Sequence, residues 1–321
     1  MSLSILPESA KKIVLPNMYP VIQKFPDEKI TDVYSTAELE LNIHKEEFKR
    51  IIEPGKTAAV LVGSRGIANL KFVVKATIEM LKSLDVEPFI IPAMGSHGGG
   101  IAEEQRKMIE AYGVTEEYLN VPIYSSMETV IIGKTESGIP VHIDKTASNA
   151  DYIIPIGRIK AHTDFDGPIE SGLCKMLSIG LGKHNGCSTL HKEGIEEFHT
   201  IIPEVASIVI KTKNIPFGVS IIENAHENTH MVKVVLGKNI LEEPNLLSIS
   251  KSLMPRLYFD HIDVLIVEQV GKSVSGGGMD SNIMGRSGMG ISPYYKGPSI
   301  TRIVVLDLTE DTPYNAMGLG F

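Results

Sequence analysis

Apolar and polar positions along this chain fall into a strand-and-helix rhythm that opens at Lys56. Residues 56–63, KTAAVLVG, form a continuous apolar run, which predicts a strand in the interior of a parallel sheet. The turn GSRGIAN ends it, and Leu70, Val73, Val74, Thr77, Ile78 and Leu81 then recur at helical spacing, predicting a helix across Ile67–Leu84. Strand, glycine turn and helix make the first half of a βαβ unit. PFIIPA, Pro88–Ala93, predicts the next strand; MGSHGGG follows it, and a helix opens at Glu103 and runs to about Tyr112. VPIY, TVIIGKT and IPVHID, between Asn120 and Asp144, predict a hairpin that extends or decorates the sheet, with His142 a structural residue on its alternating strand. A buried strand is predicted for Tyr152–Ile156, stopping at Gly157.

Further along, Ile195–Ile210 predicts an amphipathic helix interrupted at Pro203, and Pro216–Glu223 with Val232–Leu236 predicts a β pair. Residues 1–50 hold four prolines and no sustained period, so extended pieces and turns are expected there rather than a long helix. A helical segment near Leu246–Leu257, with Pro255 in its end, precedes a new strand at Ile262–Glu268. The expected boundary is therefore at 255, dividing an N-terminal α/β domain, 1–255, from a smaller C-terminal one, 256–321. The fold class is α/β, each domain carrying a mostly parallel or mixed sheet flanked by helices, with the active site in the cleft between them. TRIVVLDL is the last recognisable strand, and the ending GLGF reads as a chain shortened at its C-terminus.

Composition narrows the function. A net charge of −8 and a pI near 5.7 argue against a nucleic-acid-binding surface, which needs clustered Lys/Arg. No apolar run approaches the ~18 residues of a membrane span, and no basic-then-apolar leader opens the chain. The two cysteines, Cys174 and Cys187, match no zinc-ribbon spacing and fit a reducing, cytoplasmic location as small buried residues beside a site.

Chemistry concentrates where strands end. Arg65 stands in GSRG and His97 in GSHG, both past an apolar strand, where glycines let a backbone approach a ligand. After Gly157 come Arg158, Lys160, His162, Asp164 and Asp166, and Lys175 lies inside the apolar segment Leu173–Leu181. Burial there would desolvate its ammonium and make it a candidate nucleophile or covalent anchor. His184 and His191 follow, and imidazole is the commonest neutral ligand for borderline metals such as zinc or nickel. Gln269 and Lys272 stand just past the strand Ile262–Glu268. There is no G-x-S-x-G elbow, phosphate loop or H-E-x-x-H pair.

With these residues in order, the chain resembles the lactate racemase family over about Lys56 to Gly290. The resemblance rests on GSRG with Arg65, GSHGG with His97, KAH with His162, LCKM with Lys175, His191 sixteen residues beyond that lysine, and EQVGK with Gln269 and Lys272. It implies an isomerase, a 2-hydroxy acid racemase or epimerase working by proton-coupled hydride transfer to a nickel pincer nucleotide. By the same resemblance Lys175 tethers that cofactor, His191 ligates nickel, and His97 and His162 exchange the hydroxyl proton. Arg65 and Lys272 then hold the substrate carboxylate, Gln269 assists, and cofactor-synthesis proteins are partners. The longer interval from His162 to Lys175 and the lack of tryptophan leave the substrate open. Two other readings stand beside it: an epimerase or lyase of a longer sugar acid, and an anion-binding protein without catalysis. Two titratable histidines favour an enzyme, since an anion trap needs cations but no proton carriers.

Overall fold

A computed structural model of the chain describes residues 14, 17–63, 66–271, 274–275, 278–286 and 297–310. Arg65 and Lys272, two of the expected substrate contacts, lie outside the described residues.

The apolar runs form strands, five of which share one sheet while a hairpin pair stands apart. In chain order these are β1 (Thr57–Val62), β2 (Glu87–Pro92), the hairpin strands β3 (Thr129–Lys134) and β4 (Pro140–Asp144), β5 (Tyr152–Arg158), β6 (Phe217–Glu223) and β7 (Thr229–Leu236). The sheet runs β2-β1-β5-β6-β7, parallel except for β7, which is antiparallel to β6. Side chains alternate across it. Ala58, Val60 and Val62 of β1 join the core on one face with the helices Val33–Ile43 and Leu70–Ser83. Ala59 and Leu61 join the opposite core, with Leu173, Leu177 and the helix Phe198–Thr212. The result is an α/β sheet flanked by helices on both faces.

Several expectations change. Residues 1–50 hold two helices, Val33–Ile43 and Lys45–Ile51, where extended pieces were expected. The four prolines all precede Asp27, and Asp32 caps the first helix by accepting the Ser35 N–H at 3.0 Å. Val33, Ala37 and Leu41, four apart, bury that helix's inner face. Pro203 does not interrupt its helix, which starts at Phe198 and runs through to Thr212. Packing of Ile201, Ile202, Val205, Ala206 and Val209 outweighs the one ladder bond that proline forfeits. The β3–β4 hairpin decorates the sheet rather than extending it, and VPIY contributes one bridge, Ile90 to Ile123.

Beyond the helix Pro244–Leu253, a parallel pair, β8 (His261–Val270) and β9 (Ser299–Leu308), forms a separate two-stranded sheet. Val270, Met279, Met284 and Ile300 make its small core. Among the described residues no helix is long and apolar enough to cross a membrane.

Candidate active site

The strand order reverses at β1: β2 lies on one side and β5 on the other, so a crevice opens past the carboxyl ends of β1 and β5. Met176 fills it. Its Sδ is 3.2 Å from where a Cβ on Gly63, just past β1, would be, and its Cγ is 3.0 Å from the same point on Gly157 of β5. Glycine at these strand ends lets the segment carrying Lys175 and Met176 sit directly on the sheet. That segment is a single helical turn, Leu173–Lys175, running into a π-helical turn, Met176–Gly180, closed by the Leu181 N–H to the Met176 carbonyl at 2.7 Å. π turns recur at functional sites because the extra residue re-aims its neighbours.

A buried carboxylate starts this turn. Glu243 accepts the N–H groups of Leu173 and Cys174 at 2.8 and 3.0 Å, two of the donors a helix start leaves open. Burial pushes the Glu243 carboxyl above its ordinary value, and these N–H groups pull the other way. Two residues on, the partly buried Lys175 stands with Nζ 5.8 Å from the ring centre of Phe165.

His162 lies on the loop between β5 and this turn, pinned at its neck where Lys160 and Ser171 exchange backbone bonds at 3.1 and 3.2 Å. A second buried carboxylate, Glu170, accepts the His162 N–H at 2.5 Å and the Gly167 N–H at 3.3 Å. Burial raises its pKa, against the pull of Lys251, whose Nζ is 2.6 Å away. The His162 carbonyl accepts from Asn282 at 2.9 Å, and its ring stacks on Phe165 with centroids 4.4 Å apart. Nδ1 accepts the Asp164 N–H at 3.1 Å, so in the neutral ring the proton sits on Nε2.

His191 closes the helix Lys183–His191. Its Nδ1 is 2.7 Å from the Cys187 carbonyl, which can only accept, so Nδ1 carries the proton and Nε2 the lone pair. The Cys187 thiol, 3.5 Å from the same nitrogen, is a weaker second contact. That contact raises the His191 pKa, opposed by burial. Burial pushes the Cys187 thiol up, but His191 and Ser96 outweigh it and leave it below the ordinary value. Phe198 meets His191 edge-on at 4.9 Å and Phe165 at 5.6 Å. His162, Lys175 and His191 thus share one aromatic wall, Phe165 and Phe198.

His97 sits on the loop after β2, partly buried. That loop is fastened to the same segment: the Gly95 N–H bonds the Gly180 carbonyl at 3.1 Å, and Ser96 Oγ is 3.4 Å from Cys187 Sγ. The His97 carbonyl accepts from the buried Gln105 at 3.0 Å. His184 is exposed, with its ring against Gly100 of the loop that carries His97 and 3.4 Å from Ser188 Oγ. Gln269 is exposed near the end of β8 and lines a different cavity, with Arg158 and Glu223. Sequence reasoning missed the aromatic wall, the buried carboxylates Glu170 and Glu243, and Lys183. Lys183 is wholly buried, donates to the Pro92 carbonyl and stands 3.3 Å from the equally buried Asp144. Its burial lowers the ammonium pKa, against the pull of Asp144. An acid at 170, amid the small residues leading to Lys175, was the one available signal.

Among the described residues, no three His, Cys, Asp or Glu side chains stand together to hold a metal ion. A metal at His191 would therefore draw most of its ligands from a bound group. The donor set fits such a group: one imidazole with its second nitrogen fixed by a carbonyl, and one lysine on a braced turn beside it.

A family model described as the lactate racemase N-terminal domain matches residues 2–202. Among solved structures, the lactate racemase apoprotein of Thermoanaerobacterium thermosaccharolyticum is similar in fold, with a TM-score of 0.51 and 18% identity. The likeness covers 77% of this chain and 63% of that one, so the chain spans less than two thirds of that protein's length. No curated protein matches.

Proposed function

The chain belongs to the lactate racemase family, the matching family model spanning residues 2–202, and on that premise we propose that it racemises or epimerises a 2-hydroxy acid using a nickel pincer nucleotide tethered at Lys175. The reading is carried by the convergence of Lys175, His162 and His191 on one aromatic wall at the strand ends where the sheet order reverses. When bound, the group supplies a hydride acceptor, so the carbinol carbon inverts by transient oxidation rather than through a carbanion.

The chain's own residues bind, orient and move protons. Lys175 offers its amine from a turn braced by Glu243. His191 presents the Nε2 lone pair to the metal, because its Nδ1 proton is committed to the Cys187 carbonyl. His97 and His162 take and return the hydroxyl proton from opposite faces, which a reaction between mirror-image substrates requires. At His162 the neutral ring carries its proton on Nε2 and its lone pair on Nδ1, so proton uptake requires Nδ1 to exchange its contact with the Asp164 N–H for the Asp164 carboxylate 3.8 Å away. Arg65 and Lys272 hold the carboxylate, Arg65 through a bidentate grip, with Gln269 assisting.

The test is intact mass and nickel content after co-expression with cofactor-synthesis proteins, on wild type and on the Lys175→Ala, His184→Ala and His191→Ala variants. Lys175→Ala should lose both adduct and nickel, whereas His191→Ala should keep the adduct and hold nickel weakly. Nickel kept in the 191 variant but lost in the 184 variant overturns the ligand assignment. Absence of adduct and nickel from every sample leaves a shared fold only. In a plain anion binder, Lys175→Ala would merely weaken anion binding by ~1–3 kcal/mol.

A further inference from the structure

A cavity of about 250 Å³ lies between the carboxyl ends of β5 and β6 and the segment that follows β8. Its lining is largely apolar, with Met254, Met279, Met284 and Val267 among the wall residues, and methionines adapt to ligands of varied shape. On the polar side, Arg158 is committed to Glu223, 2.5 Å away. Lys160, partly buried on the same wall, makes no ion pair among the described residues. The cavity neighbours the loop that carries His162: Lys160 stands two residues before His162, and Asn282, next to the lining residue Ile283, donates to the His162 carbonyl.

We propose that this cavity takes the side chain of the hydroxy acid, so that the substrate class is 2-hydroxy acids with an apolar chain, with Lys160 as a further cation for the carboxylate. The proposal rests on the racemase reading and deepens it. Lactate, with a single methyl, would leave the space unfilled. The volume exceeds the ~150 Å³ that accommodates the six heavy atoms of benzene, so a chain of about six to ten heavy atoms fits. Each methylene buried should tighten binding about fourfold until the cavity is full.

The test is calorimetric titration of the full chain with single-enantiomer 2-hydroxy acids from lactate to 2-hydroxytetradecanoate, with racemisation assayed on the cofactor-loaded protein. Affinity should climb about fourfold per methylene and then level off. Val274→Trp, at a lining residue that is 58% exposed and so tolerant of a larger side chain, should flatten the climb. Met254→Trp repeats the test at a lining residue from another segment of the chain. Lys160→Met should weaken every acid by the same factor, about tenfold or more for a lost charged hydrogen bond. Equal affinity across the series, or a climb that survives both tryptophan variants, overturns the proposal. Racemisation of lactate without tighter binding of longer acids sinks the cavity assignment and leaves the racemase reading standing. Length-dependent binding without racemisation of any acid supports the cavity and sinks the racemase reading.

Discussion

The carboxylate of Glu243 lies in the space that a Cβ on Gly172 would need, and from there it caps the turn that carries Lys175. Glycine is required at 172 by this close approach. Gly172→Ala should displace Glu243, leave the Leu173 and Cys174 N–H groups unsatisfied, and cost at least ~2 kcal/mol in urea unfolding. Glu243→Ala removes the same acceptors, so the double variant should lose clearly less than the sum of the two singles. Additive losses would mean that the residues act independently.

Glu243 also predicts a pH dependence. Burial raises its carboxyl above the ordinary 4.5, so the folded chain binds that proton more tightly than the unfolded chain. The stability this contributes is fully present below 4.5 and is lost as pH rises through the raised value. Glu243→Gln removes the titration and should flatten this component. Urea midpoints at pH 4.5 and 7.5 check it: wild type should gain stability relative to the variant on acidification, and a constant difference would refute it.

If His97 and His162 exchange the hydroxyl proton on opposite faces, either alanine variant should lose ~10²- to 10⁴-fold in kcat in both directions. Fold and adduct should persist, because His162 is positioned through its backbone by Glu170 and Asn282 rather than through its ring alone. Enantiomer-resolved rates with each mirror-image substrate provide the measurement. Full two-way activity in one variant would remove that histidine from the mechanism.

Lys183→Met should strand the Asp144 carboxylate in the core. Removing one partner of a buried pair costs about 3–5 kcal/mol, and Lys183→Met with Asp144→Asn should recover part of that loss in thermal or urea unfolding. A single variant as stable as wild type would show that the pair holds nothing in place.

The sequence by itself determined the elements whose signal is local. KTAAVLVG, PFIIPA and Tyr152–Ile156 are strands because a strand buried on both faces must be apolar throughout, and the crossover helix declares itself by its spacing. Polar residues behind glycines at strand ends likewise marked His97, His162 and Lys175 as candidates before their neighbours were known. The helix Val33–Ile43 was legible too, in Val33, Ala37 and Leu41 and in the Asp32 cap, but the prolines upstream obscured it. Only the tertiary structure decided that β5 lies beside β1, which creates the crevice where Met176 seats the lysine. It alone brought Phe165 and Phe198 into a shared wall, and buried Glu170, Glu243 and Lys183 with their partners. The physical reason is that apolar periodicity is a property of neighbouring residues in the chain. Whether a charge can be buried depends instead on a partner brought from far along it, as Glu243 is to Leu173 and Lys183 to Asp144.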